Sequence, residues 1–268
     1  MNFRRTLALT AIVVIALAGC HHSSGPRRVV KVSVDPEFVK LTKEQLFEKG
    51  EAFFAKHRWQ KARSYYSYVY ENYPNDPLGR RALLRVADTY YQQGDPVNLI
   101  EAQYKYRDFI NRYPTSDKGD YAMLQIAMVS YKQMEKPDRD QQKTHEAVEK
   151  FNDMLRAYPH SPLRPEAEAK LHEVQDRLAK HEHMIARYYI KRKGYYAALQ
   201  RLNALVDQYP NYSERDAVFF DLGNALTGLG RTNEARAAYE RALDLAAVPA
   251  ERAFLRERLS ELERTASE

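Results

Sequence analysis

Four tyrosine–proline pairs, Tyr73-Pro74, Tyr113-Pro114, Tyr158-Pro159 and Tyr209-Pro210, recur at intervals of 40, 45 and 51 residues. Proline cannot continue a helix, and the residue before it is pushed into an extended conformation, so each pair marks a helix end. Twelve residues before each proline stands an alanine: Ala62, Ala102, Ala147 and Ala198. Eight before each stands a large apolar residue: Tyr66, Tyr106, Phe151 and Leu202. The alanine lets two antiparallel helices approach closely where they cross. The residue one turn further on lies on the same face and fills the gap above it.

This pattern is the second-helix half of a tetratricopeptide repeat. First-helix positions match as well: Leu46, Gly50 and Phe53 precede Ala62, and Ala186 and Tyr189 precede Ala198. A fifth unit follows with Phe219, Leu222, Gly223 and Leu226, then Ala235, Tyr239 and Ala242, ending at Val248-Pro249. In units two and three the first-helix residues Leu83, Ala87, Tyr90 and Met123, Ala127, Tyr131 sit further from their alanines, which predicts loops at Gln93–Asn98 and Met134–Gln141. Thr42-Lys43-Glu44-Gln45 has capping-box spacing, and Asp76-Pro77 and Ser161-Pro162 place a capping residue before a first-turn proline. The first helix of unit four is expected from about Arg164 to Lys193, and Glu251 to Arg264 reads as a terminal capping helix. The expected fold is all-α: a solenoid of five helix pairs at about 42–74, 77–114, 117–159, 162–210 and 213–248, plus a cap at 249–265, because no single pair buries its own apolar stripe. Only 10 glycines in 268 residues fit a helical chain.

The first residues carry an address. Arg4 and Arg5 precede an uncharged stretch from Leu7 to Ala18, too short to span a bilayer comfortably, which closes on Leu17-Ala18-Gly19-Cys20. That tetrapeptide resembles the bacterial lipobox, so residues 1–19 are expected to be a lipoprotein signal peptide and Cys20, the single cysteine, the acylated residue. The alternative is an ordinary signal peptide with a coincidental cysteine. His21 follows where lipoproteins retained at the inner membrane carry Asp, which by analogy directs this chain to the periplasmic face of the outer membrane. Residues 20–41, with His21-His22-Ser23-Ser24-Gly25-Pro26 and the Val29 to Val34 stretch, read as a flexible tether.

The chain holds no thiolate cluster, no phosphate-binding glycine loop and no nucleophile elbow. Its 42 basic and 36 acidic residues are interspersed, as on a solvated surface rather than a nucleic-acid-binding face. His172-Glu173-Val174-Gln175-Asp176 misses H-E-x-x-H by one residue, and His183 lies three turns on, too far for one metal. A periplasmic metalloenzyme would rest on that cluster alone. The expectation is a binding scaffold without catalytic residues, metal or cofactor beyond the covalent lipid.

In such a solenoid the first helices line a concave groove. The groove-facing positions are Phe47, Glu51 and Phe54 in unit one, Arg81, Leu84, Asp88 and Tyr91 in unit two, and Tyr121, Leu124, Met128 and Tyr131 in unit three. Aromatic platforms beside single charges suit an extended peptide. Phe47 is expected in the groove, whereas Phe54 and Tyr91 either face it or pack between helices.

Several stretches together resemble the BamD family, the lipoproteins of the outer-membrane β-barrel assembly machinery. They are Ala62…Tyr66…Tyr73-Pro74, Arg107-Asp108-Phe109-Ile110-Asn111-Arg112-Tyr113-Pro114, Asp138-Arg139-Asp140 with Ala147…Phe151…Tyr158-Pro159-His160-Ser161, and Arg177-Leu178-Ala179-Lys180-His181-Glu182 leading into Ala186-Arg187-Tyr188-Tyr189. The resemblance covers about residues 42–245 and implies a non-enzymatic adaptor that binds the barrel subunit BamA, further lipoproteins of that complex, and unfolded outer-membrane proteins. It implies substrate peptides at the amino-terminal units and a BamA contact at Arg201. By physics alone Arg201 sits on a second helix and pairs with a nearby carboxylate such as Asp207 or Glu214. The alternative function is a tetratricopeptide lipoprotein of another envelope system, a pilotin for a secretin or an organiser of cell-wall synthesis.

Overall fold

The computed structural model describes residues 36–267, and every regular element in that span is an α-helix. Cys20 and the signal segment lie outside the described residues. Helix α1 is Pro36–Lys40. The first and second helices of the five units are then α2 (Lys43–Ala55) and α3 (Trp59–Asn72), α4 (Pro77–Gln93) and α5 (Pro96–Arg112), α6 (Gly119–Lys132) and α7 (Gln142–Ala157), α8 (Arg164–Lys191) and α9 (Tyr195–Gln208), α10 (Arg215–Gly228) and α11 (Thr232–Leu245). Helix α12 (Pro249–Ser267) closes the row. From α2 onward each helix packs on its neighbours in sequence, α2 also meets α4 and α8 meets α10, which is the tetratricopeptide solenoid expected.

The repeat residues do what their sizes dictate. Ala62, Ala102, Ala147, Ala198 and Ala235 are fully buried at the crossings, with Tyr66, Tyr106, Phe151, Leu202 and Tyr239 buried one turn on. Where a first helix carries glycine, the rings come closer still. A Cβ on Gly50 would meet the Tyr66 ring at 2.6 Å, and one on Gly223 the Tyr239 ring at 2.4 Å. All four tyrosines of the tyrosine–proline pairs are C-caps, with φ between −131° and −124°, each still donating its N–H to the carbonyl four residues back. The Tyr113 hydroxyl also donates to the Pro74 carbonyl at 2.6 Å, tying one repeat end to the next.

The capping box at Thr42 and the Asp76 cap before Pro77 are both present. Ser161-Pro162 is not a cap: α8 begins at Arg164, and the Ser161 hydroxyl accepts from the Leu163 N–H while donating to Asp120. The expected loop at Gln93–Asn98 shrinks to Gly94 and Asp95, since Pro96 occupies the first turn of α5 behind the Asp95 cap. The extra residues of unit two lengthen its helices to 17 residues each. Gly94 takes φ 74°, which glycine adopts without steric cost. The loop after α6 is as long as expected and is fastened to α8, where Arg177 donates to the Glu135 carbonyl at 2.7 Å.

Residues 36–41 fall within the span assigned to the tether, yet α1 packs on unit one, with the Phe38 ring 4.8 Å from Tyr65. The packed region therefore begins some residues before the first capping box. Helix α8, 28 residues long, joins two cores. Its first half contributes Ala167 and Val174 to the unit-three cluster, and its second half Ala179 and Ala186 to the cluster of units four and five.

Candidate functional site

Two first helices, α4 and α6, face the turn that leads into α8. Between them lies a hollow of about 740 Å³, floored by Leu84, Phe109 and Tyr121 and rimmed by Arg80, Arg81 and Arg85. Arg81, Leu84, Asp88 and Tyr121, all expected in the groove, line it. Arg80, Arg85, Lys118 and Asp120 line it as well, and the repeat spacing had not singled them out.

A buried polar network holds these walls. The Asp88 carboxylate accepts from the Tyr106 hydroxyl at 2.7 Å, the Tyr121 hydroxyl at 2.8 Å and Arg85 Nη1 at 3.2 Å. Arg85 reaches the other way to Glu51, donating from Nε at 2.6 Å and from Nη2, while the Tyr66 hydroxyl donates to Glu51 at 2.8 Å. Two carboxylates on α2 and α4 thus share one guanidinium and three tyrosines. Burial pushes the Asp88 carboxyl above the usual range, partly offset by its hydroxyl donors and Arg85. Burial acts the same way on Glu51, but the bonds from Arg85 and Tyr66 outweigh it and hold that carboxyl low. Burial raises the Tyr121 hydroxyl, and the adjacent Asp88 charge raises it further. All of these groups are neutralised within the wall.

Arg80 and Arg81 are not. Arg81 is exposed with its guanidinium 4.8 Å over the Phe47 ring, and Arg80 lies 5.6 Å over Tyr113 while donating to the Asn75 carbonyl. Neither makes a direct ion pair among the described residues, although Arg80 stands in the field of Asp76 and Arg81 in that of Glu51, carboxylates already bonded to Lys43 and Arg85. The hollow offers an apolar floor and two cations without a direct ion pair to a ligand.

Other expected groove residues are placed differently. Phe47 is buried, 5.3 Å from the Tyr66 ring, so it supports the wall rather than facing the opening. Leu124 is also buried, in the unit-three core, with Met128 packed partly against the same cluster. Leu84 holds the equivalent position and is equally buried, but it lies at the bottom of the hollow, whereas Phe47 and Leu124 are covered by neighbouring side chains. Phe54 is half-buried, between Trp59 at 4.8 Å and the Arg85 guanidinium at 4.2 Å. Tyr91 and Tyr131 each lie under a lysine, Lys132 at 4.6 Å and Lys170 at 4.9 Å.

Arg201 on α9 pairs with neither Asp207 nor Glu214. It donates from Nη1 to Glu182 on α8 at 2.8 Å, with the Tyr189 ring 5.7 Å away. Glu214 is taken by Lys180. Of the near-miss zinc motif, His172 and Asp176 stay 3.8 Å apart on one face of α8, but each is bonded elsewhere. His172 contacts the Asn211 carbonyl, Asp176 accepts from Ser213, and His183 is buried against Asp221. No set of three His, Cys, Asp or Glu residues among the described residues is placed to hold a metal.

The YfiO family model, described as an outer membrane lipoprotein, matches residues 40–241. The chain is 25% identical over 234 residues to the outer membrane protein assembly factor BamD of Caulobacter vibrioides, covering 87% of this chain and 73% of that protein. It is 24% identical over 248 residues to the corresponding protein of Haemophilus influenzae, covering 85% of each. Among solved structures, the TPR2AB-domain:pHSP90 complex of yeast Sti1 matches with a TM-score of 0.43 at 15% identity, over 82% of this chain and 84% of that one.

Proposed function

The chain belongs to the YfiO family of outer membrane lipoproteins, and from that premise we propose that it is a non-enzymatic assembly factor for outer membrane proteins, held by lipid on Cys20 at the periplasmic face of the outer membrane. Its relatives in Caulobacter and Haemophilus are named as such assembly factors. No helix among the described residues is long and apolar enough to cross a membrane, which is compatible with anchoring by acyl chains.

In this reading the hollow between α4 and α6 receives an extended segment of an unfolded barrel protein. Alternate side chains of the segment settle on Leu84, Phe109 and Tyr121, and its carbonyls or acidic groups meet Arg80 and Arg81. The observation that carries the reading is a pair of arginines without a direct ion pair beside an apolar floor, in a wall whose carboxylates are bonded internally. Nothing in such binding calls for a cofactor. The surface around Arg201 is assigned to BamA, and other lipoproteins of the complex are further partners. Arg201 spends one donor on Glu182 and keeps the rest of its planar fork for a partner's carboxylate.

Depletion of the protein tests the reading. The expected outcome is a fall in outer-membrane barrel proteins and co-purification of BamA with the wild-type chain but not with Arg201→Glu. Normal barrel levels after depletion, accompanied by lost pili or an altered cell wall, would assign the chain to another envelope system.

A further inference from the structure

A second hollow of about 510 Å³ lies between α8 and α10, the first helices of units four and five. Its walls include Met184, Arg187, Tyr188 and Lys191 of α8 with Phe220 and Asp221 of α10. Met184 and Tyr188 are 42% and 56% exposed, and the exposed Phe254 of α12 places its ring 5.6 Å from Phe220. These are large apolar side chains that the solenoid leaves uncovered on one concave stretch.

Its charge is lopsided. Arg187 and Lys191 stand one turn apart on α8, a like-charged pair that an anion between them would relieve, and the Arg192 guanidinium lies 5.5 Å over Tyr188. Asp221, the carboxylate in this wall, is buried and already committed. Its Oδ2 is 2.8 Å from His183 Nε2 and 3.6 Å from Arg187 Nε, and its Oδ1 accepts from Asn224 at 3.3 Å. Lys191 and Arg192 have no carboxylate partner among the described residues.

We propose that this hollow is a second peptide-binding site, taking an extended acidic segment that carries an aromatic or branched aliphatic anchor. The anchor seats between Tyr188 and Phe220, and a neighbouring carboxylate lies between Arg187 and Lys191. The site shares no residue with the hollow at α4 and α6 and does not depend on what that hollow binds.

The test uses a fluorescein-labelled octapeptide of alternating Asp and Phe, blocked at both ends, titrated by anisotropy. The protein is the full chain carrying Arg81→Glu, which repels acidic peptide from the first hollow. Saturable binding is expected, weakening as salt rises. Adding Tyr188→Ala and Lys191→Glu is expected to lower affinity at least ~10-fold, the scale of losing an aromatic anchor and an ion pair. Both side chains point into solvent, so circular dichroism should be unchanged. Lys191→Gln, which removes only the charge, guards against misfolding of the multiple variant and is expected to cost about 3-fold. Absence of saturable binding to the Arg81→Glu protein, equal binding to the multiple variant, or equal binding of a Lys/Phe peptide would each overturn the proposal.

Discussion

In units one to three the buried surface is broken into separate clusters, and a network of Glu51, Arg85, Asp88, Tyr106 and Tyr121 links unit one to two and two to three. In units four and five a single cluster runs from Ala179 to Leu262, built chiefly of Ala and Leu, with His183 and Asp221 as a buried ionisable pair beside it. Both halves rest on apolar clusters, but units one to three add a charge-assisted network across their junctions where units four and five add the His183–Asp221 pair and the Tyr239–Asn224 bond. Directed bonds fix where each wall residue points, which a groove that reads a ligand requires. Apolar packing tolerates change of shape but not of volume. The difference places the pre-shaped site in the amino-terminal half.

That contrast can be broken most strongly at Asp88. Asp88→Ala strands two tyrosine hydroxyls and one edge of Arg85, and should destabilise by about 3 kcal/mol in urea unfolding. A variant unfolding at the parent midpoint would show that the network is ornamental. Ala198→Trp attacks the other half by overfilling a fully buried crossing, with an expected loss of about 2 kcal/mol and no change in salt sensitivity. A parental melting curve there would mean that the crossing yields.

Acid should separate the halves more gently. The Glu51 carboxyl is held below its ordinary value of 4.5 in the folded protein, so its contribution is complete above that pH and is lost as pH falls through the lower folded value. Glu51→Gln should therefore lower stability by about 1 kcal/mol at pH 7, a gap to wild type that narrows below pH 4.5. A gap constant from pH 7 to 3 would contradict the assignment. The smallest effect is expected at Arg201→Ala, where one half-exposed pair is lost. Stability should move by less than about 1 kcal/mol while retention of BamA falls. A large fall in melting temperature would make Arg201 a structural residue.

Much of the solenoid was legible because its rules are local. The proline ends, the buried alanines and the long α8, expected at Arg164–Lys193 and found at Arg164–Lys191, all follow from spacing along one helix. Helix α12 likewise appears at Pro249–Ser267 where a cap was expected at Glu251–Arg264. What escaped depends on neighbours far away in sequence. Phe38 folds back onto Tyr65 and Tyr68, drawing residues 36–41 out of the tether. Glu182, which pairs with Arg201, lies on the preceding helix rather than beside it on α9. The groove shows the same limit. Repeat geometry pointed to Arg81, Leu84, Asp88 and Tyr121, but not that Phe47 and Leu124 would be absorbed by packing, nor that Arg85 would be shared by two carboxylates while Arg80 made no direct ion pair. Charge pairing across units is a property of stacking, which no single-helix period encodes.

The central claim, that the hollow between α4 and α6 receives unfolded barrel proteins, is tested most directly by photo-crosslinking in living cells. p-Benzoylphenylalanine placed at Asp117, on the exposed rim of the hollow, is compared with the same residue at the exposed Ile100 of α5. Newly made outer-membrane barrel proteins should attach at position 117 and not at position 100. Their absence at 117, or equal capture at both positions, would contradict the account.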